Sequence, residues 1–335
     1  MVLRNIIFKF IYYSGLAHLL FTINKFNGKI PILLFHRVSP HPDACWPPLT
    51  PLQFEKIIKL LSRHYKFYSL DELLETTKGI QSNACCIVFD DGFYDFKEHA
   101  FPILVKNKVP VTLFLPTNNI DENRPLWTSE IDSIILYTKK QKENNVITIG
   151  KEKIALKLTS EKDLFNTSTT IKNTLLHFEE LERNSIIGKL RIDLTAGEER
   201  NYPMLSWADI HEMKAAYPQL LNIQSHTHTH PYLPTLKPDA IAMEFKNSLA
   251  VLNKQKLNPY NKIAYPVGGY DPKTIEAAKK YYAFGFKVEN RLCTLKSLKN
   301  NDYKYQIPRH NIHTSTPYET FIFANGFHSF IKSLK

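Results

Sequence analysis

Ala84-Cys85-Cys86-Ile87-Val88-Phe89-Asp90-Asp91-Gly92 is an uncharged run that ends abruptly in two carboxylates and a glycine. The run has the length of a strand and is too short for a helix. Apolar side chains at successive positions mark a strand covered on both faces. It is therefore read as a buried strand whose end delivers Asp90 and Asp91. Upstream, residues 29–38 carry the same pattern through Ile30, Ile32, Leu33, Leu34 and Phe35, end at His36-Arg37, and lead into a Pro-rich loop through Pro51. Helices are predicted over about 52–64, 71–76 and 93–106, and a further strand over 111–115. Strands alternating with helices at this spacing imply βαβ units and a parallel sheet, open or closed into a barrel.

Between about 118 and 203 that rhythm breaks. Residues 146–158 alternate around Gly150-Lys151, a hairpin signal, and the stretch to Ile192 reads as mostly helical, so 118–203 is taken as an insertion. Beyond it, Ser206 is a helix N-cap, and a strand at 220–224 leads into His226-Thr227-His228-Thr229-His230-Pro231. A helix at 239–254, a strand at 263–266, a helix at 272–282, strands at 283–288 and 305–308, and a helix after Pro317 follow. The expected divisions are 1–28 for an N-terminal amphipathic helix, 29–320 for the α/β domain and 321–335 for a tail.

With 335 residues, 43% of them hydrophobic, the chain can bury a full core. The net charge of +11 suits an anionic partner, but the lysines are scattered and no nucleic-acid motif accompanies them, so nucleic acid is not expected. Cys45, Cys85, Cys86 and Cys293 form neither a CxxC pair nor a disulfide framework, which favours a reducing compartment. In the first 26 residues Leu3, Ile6, Ile7, Phe10, Ala17 and Leu20 recur at helical spacing. Arg4, Lys9 and His18 interrupt them, and no small-residue cleavage site follows. The uninterrupted run is shorter than the ~20 residues of a spanning helix. A basic helix lying in the interface of an anionic membrane and a helix packed on its own domain both remain open.

The histidines suggest chemistry. His226 and His230, spaced i and i+4, would share one face of a helical turn, and a carboxylate from elsewhere completes a three-ligand metal site with a position left for water. Asp91, His226 and His230 are read as those ligands. Successive strand side chains point to opposite faces, so Asp90 and Asp91 serve one site only where the strand turns, which Gly92 permits. One Asp then binds the metal and its neighbour acts as general base. His228 lies about two-thirds of a turn off that face, where plain exposure is expected ahead of a contact with substrate or with a ligand's surroundings.

Phe89-Asp90-Asp91-Gly92, Ser225 to Pro231, and Ala264-Tyr265-Pro266-Val267-Gly268-Gly269-Tyr270-Asp271, in that order, resemble the motifs of the polysaccharide deacetylases of carbohydrate esterase family 4. The resemblance covers about 30–120 and 200–312. It implies a distorted (β/α)7-type barrel carrying a mixed helical and hairpin insertion, and metal-dependent removal of N-acetyl groups from amino sugars. Asp90 then looks like the base, and Asp91, His226 and His230 like ligands of zinc or another divalent transition metal. The family's third motif usually opens with an Arg that braces the catalytic Asp. Ala264 stands there, and Arg309 in Ile307-Pro308-Arg309 is inferred to replace it. The late Leu-x-His motif is missing, whereas Leu34-Phe35-His36-Arg37 resembles the early His motif of the circularly permuted branch acting on poly-N-acetylglucosamine, which makes His36 the general acid. The backbone N–H of Val267 is the expected oxyanion donor, and Tyr265, Tyr270 and Trp207 are candidates to stack on sugars.

A glycoside hydrolase using Asp90 or Asp91 and a catalytically idle glycan-binding protein are the competing readings. The expected substrate is an N-acetylated cell-envelope glycan or its lipid-linked precursor. The expected location is cytoplasmic, peripheral to the inner membrane through residues 1–26.

Overall fold

Side-chain parity along seven short strands explains the architecture in the computed structural model of the chain, which describes residues 2–76, 79–138, 146–195, 202–312 and 316–327. The strands are β1 (Ile32–Phe35), β2 (Ala84–Phe89), β3 (Val111–Leu115), β4 (Leu221–Ser225), β5 (Lys262–Ala264), β6 (Phe284–Val288) and β7 (Ile307–Asn311). Each pairs in parallel with its successor, and β7 pairs with β1, closing the ring. This is the distorted (β/α)7 barrel that the motifs implied. Ile32, Leu34, Ala84, Cys86, Val88, Phe114, Ala264, Phe286 and Ile307 fill one apolar cluster, the barrel interior. Their sequence neighbours Leu33, Phe35, Cys85, Ile87, Phe89, Leu113 and Ile223 face outward into a second cluster with the helices, among them Phe54, Ile57, Leu61 and Ile210. Burial on both faces is why these strands read as continuous apolar runs.

The ring is weakest between β4 and β5, where Ser225 opposite Ile263 is the register pair recorded among the described residues. Side-chain amides do part of the closing. Gln224 Oε1 accepts from the backbone N–H of both Asn261 and Lys262, and Asn258 pairs with the N–H and C=O of Ile223. Gln224 is fully buried, and each buried N–H left without such an acceptor costs about 1–3 kcal/mol.

The strand expected at 305–308 runs instead from Ile307 to Asn311, because Tyr303–Tyr305 forms a short 3-10 turn first. Arg309 thereby lies within a barrel strand. The segment after β3 contributes helices Trp127–Thr138, Glu161–Leu175 and Glu180–Leu194, and the expected hairpin of Val146–Ile149 with Glu152–Ala155. It has its own apolar cluster, including Trp127, Ile135, Leu164, Ile171 and Ile187, which also receives Cys45 from the loop after β1.

Where one N-terminal helix was expected there are two, Val2–Tyr13 and Leu16–Phe26, bent by 61°. Gly15 turns the chain between them at φ 84°. One side docks on helix Pro317–Ala324: Phe8 meets Phe323 edge-on, and Asn24 donates to the carbonyl of Asn325. Ile6, Phe10, Leu16, Leu19 and Ile23 remain exposed on the other side, with Phe26 at 91%. No single helix among the described residues is long and apolar enough to cross a membrane. The side chains of Leu3 and Arg4, and residues 328–335 of the expected tail, lie outside what is described.

Candidate metal centre

The inward parity of the strands, continued past their C-terminal ends, builds the site. Ala84, Cys86 and Val88 point inward, so the next residue of that parity is Asp90. Asn222 and Gln224 lead in the same way to His226, and Ile307 to Arg309. These side chains converge. Arg309, with no exposed surface, donates from Nη1 to Asp90 Oδ1 at 2.5 Å and lies over the ring of Phe114. Asp90 Oδ2 is 3.7 Å from His226 Nε2.

Asp91 has the wrong parity and reaches the site through its backbone, which adopts φ 77° ahead of Gly92 at the same angle. A non-glycine residue there carries local strain of order 1–3 kcal/mol. The turn brings Asp91 Oδ1 to 3.5 Å from His226 Nε2 and 3.4 Å from His230 Nε2.

The two histidines do not share a helical turn, contrary to expectation. The segment after β4 is irregular, with Thr227 at φ 69° and His230 at φ 57°. Thr227 shapes it, its hydroxyl donating to the His226 carbonyl and accepting from the His230 N–H. Glu244, on helix Pro238–Gln255, accepts from the N–H groups of His228 and Thr229 and from the Thr229 hydroxyl. His228 is half-buried rather than exposed, its Nδ1 2.9 Å from the Thr117 hydroxyl. Glu244 had no sequence signal beyond being one charge on a helix face.

Asp91, His226 and His230 are buried, and their donor atoms all lie within 4.8 Å of one another. An ion bound tetrahedrally at 2.0–2.1 Å holds its ligand atoms about 3.3–3.4 Å apart, so the measured 3.4 and 3.5 Å separations fit. The His226 Nδ1 hydrogen-bonds the carbonyl of Ala264 at 2.8 Å, which turns Nε2 toward the site. His230 Nδ1 has no partner among the described residues, so that ring is fixed less firmly from behind.

Burial raises the Asp91 carboxyl, but hydrogen bonds from His226 and His230 outweigh it and hold the group far below the usual carboxylate range. Burial pulls His226 down, yet the charge of Asp90 and the hydrogen bond to Asp91 leave it above its ordinary value. His230 ends below its ordinary value because burial dominates.

His36 follows β1, and the Phe35 to Phe89 register places it beside Asp90, whose N–H bonds the Phe35 carbonyl. It packs edge-on against Trp46. Burial lowers its pKa, against the pull of Asp91 and Asp90. Arg37 fastens this corner, pairing with Asp43 and Asp95 at 3.0 Å each. Val267 sits just after β5 at φ 57°, half-exposed.

Tyr265 is not available to sugars. It is fully buried, its hydroxyl donates to the carbonyl of Tyr305 at 3.0 Å, and a Cβ at Gly285 would stand 2.1 Å from its oxygen. Tyr270 stacks on it and is half-buried. Trp207 binds Asp121 through its indole N–H.

Glu244→Ala releases the backbone of the ligand loop while touching no ligand. A 10–100-fold loss of metal affinity is expected, measured by competition with a chromogenic chelator.

A profile of the polysaccharide deacetylase family matches residues 194–283, and no curated protein matches the chain. Among solved structures the fold is similar to that of the Streptococcus pyogenes deacetylase PplD in complex with acetate, with TM-score 0.56, 19% identity, and 86% of this chain and 95% of that one covered. IcaB from Ammonifex degensii gives TM-score 0.55, 16% identity and coverage of 89% and 97%. A de-N-acetylase from Aggregatibacter actinomycetemcomitans gives 0.51, 14%, and 88% and 99%. At these identities the structural likeness is one of fold. Residues 194–283 thus match the polysaccharide deacetylase family, and the barrel that carries them has the fold of these solved structures.

Proposed function

We propose that this protein is a metal-dependent deacetylase that removes N-acetyl groups from amino sugars of a cell-envelope glycan or its lipid-linked precursor. The observation that carries the reading is the buried Asp91, His226 and His230 cluster standing beside an Asp90 braced by Arg309. The match of residues 194–283 to the polysaccharide deacetylase family supports an acetylated glycan as substrate.

Asp91, His226 and His230 would hold the ion, with zinc the best match to two imidazoles and a carboxylate. When bound, a divalent cation supplies the Lewis acidity that makes water acidic and polarises an acetamide carbonyl. Asp90 has one oxygen committed to Arg309 and the other directed at the site. The free oxygen accepts the proton of the attacking water. The Val267 N–H is assigned to the carbonyl oxygen as its charge develops. His36 gives a proton to the departing nitrogen, which would otherwise leave as a strongly basic amide anion.

The test is metal analysis of the purified protein with an acetate-release screen over polymeric and lipid-linked amino sugars. Acetate release at constant chain length, lost with a chelator and restored by zinc, is expected. Shortened chains without acetate would overturn the reading in favour of a glycoside hydrolase, and neither product would leave a glycan-binding protein.

The same reading places the protein against an anionic membrane surface through helices Val2–Tyr13 and Leu16–Phe26. Its support is the exposed apolar side of that pair, with Lys9, Lys25 and Lys29 exposed nearby. Phe10→Asp combined with Leu19→Asp should abolish co-sedimentation with vesicles containing phosphatidylglycerol, with acetate release from a soluble glycan unchanged. A cytoplasmic location is part of this proposal and accords with four free cysteines. Fractionation that finds the native protein wholly in the periplasm would refute it.

A further inference from the structure

A cavity of about 230 Å³ lies where the inserted segment meets the outside of the histidine loop. Phe178, Glu180 and Arg183 come from the insertion, and Thr229, Pro231 and Tyr232 from the loop whose His230 is a metal-ligand candidate. Arg183 is the unusual member. It is 3% exposed, and its Nε has no hydrogen-bond partner among the described residues. Its guanidinium lies 4.8 Å from the ring centre of Trp127, whose indole N–H points to the His230 carbonyl at 3.4 Å.

A buried guanidinium N–H without an acceptor costs free energy that a ligand or water must offset. Among the described residues no acceptor reaches that Nε, and Glu244 is engaged by the backbone of His228 and Thr229. The charge balance limits what can. Glu179, Glu180 and Glu244 line the cavity with Arg183, three carboxylates to one cation, which disfavours an anion. Donors and acceptors beside the rings of Phe178 and Tyr232 suit a neutral polyhydroxylated ring with an apolar face.

We infer that this cavity binds an uncharged sugar residue of the substrate glycan, other than the one that reacts, with Arg183 donating to its oxygens. The inference rests on the glycan-deacetylase reading for the identity of the polymer, while the site itself is testable without catalysis. The insertion would then select substrates by length, holding a distant residue while another is deacetylated.

The probes are the N-acetylglucosamine dimer and pentamer, added to the full-length protein after chelator treatment. Binding is read from tryptophan fluorescence, for which Trp127 beneath Arg183 is a local reporter. Arg183→Met should weaken pentamer binding about tenfold or more, the loss expected for hydrogen bonds to a charged donor. Dimer binding should stay as it was. Arg183→Lys, which keeps the charge and loses the fork, should fall between and stands in if the Met variant does not fold. In turnover, KM for the pentamer should rise at unchanged kcat. Equal pentamer affinity in all three proteins, or displacement of the pentamer by inorganic phosphate, would overturn the site. Wild type that binds the pentamer in an Arg183-dependent way yet releases no acetate would sink the catalytic reading and leave the sugar site standing. Acetate release with the same KM in every variant would do the reverse.

Discussion

Asp91→Ala is expected to leave the purified protein with almost no bound divalent ion and no detectable acetate release. Asp91 is the carboxylate that lies between the two imidazoles, at 3.5 and 3.4 Å, and an Ala there leaves two ligands where a stable site needs three. Metal analysis by mass spectrometry should drop from about one ion per chain to near zero, since the same donors account for the affinity. The folded barrel should survive, because Asp91 lies beyond the end of β2 and in no ladder pair. Full metal content in that variant would mean that the ion is held elsewhere.

Asp90→Asn separates chemistry from binding. The variant is expected to keep its metal and fold but lose about 10²–10⁴-fold in kcat, the range that a positioned base contributes. Asn gives up the counter-charge of Arg309 but still offers its guanidinium an oxygen, so the loss of stability should be smaller than when charge and acceptor are both removed. Asp90→Leu has a different outcome. It removes both the counter-charge and the acceptor of a guanidinium with no exposed surface, and breaking one side of a buried pair in this way costs about 3–5 kcal/mol. Unfolding in urea distinguishes the two variants. An Asn variant with undiminished turnover would remove Asp90 from its assigned role.

Much of the barrel was legible because its strands are bounded by abrupt changes of polarity. Residues 84–89 and 111–115 start and stop in the structure where the apolar runs do. Parity then led from strand to site, since Asp90 and His226 continue inward-facing series. Closure of the ring was not legible in the same way, because β4 and β5 meet over so short a contact. It came from the motif resemblance. The path of the histidine loop was also hidden: left-handed backbone at Thr227 and His230 has no glycine to announce it, so i, i+4 spacing suggested a helix. Tyr265 misled because an aromatic next to a glycine-rich turn looks like a sugar platform. Its burial depends on the space left by Gly285, on another strand. Arg309 was inferred from a missing partner for Asp90, and the two side chains form a buried ion pair.

The amides that close the seam between β4 and β5 have one more consequence. A strand shifted by a single residue presents its opposite face, and for β4 that would swing His226 out of the interior. Gln224 can grip the Asn261 and Lys262 amides from only one alignment. The side chain that compensates for a short ladder is therefore also a clamp against slippage, so the stability of the scaffold and the aim of a metal-ligand candidate are selected together.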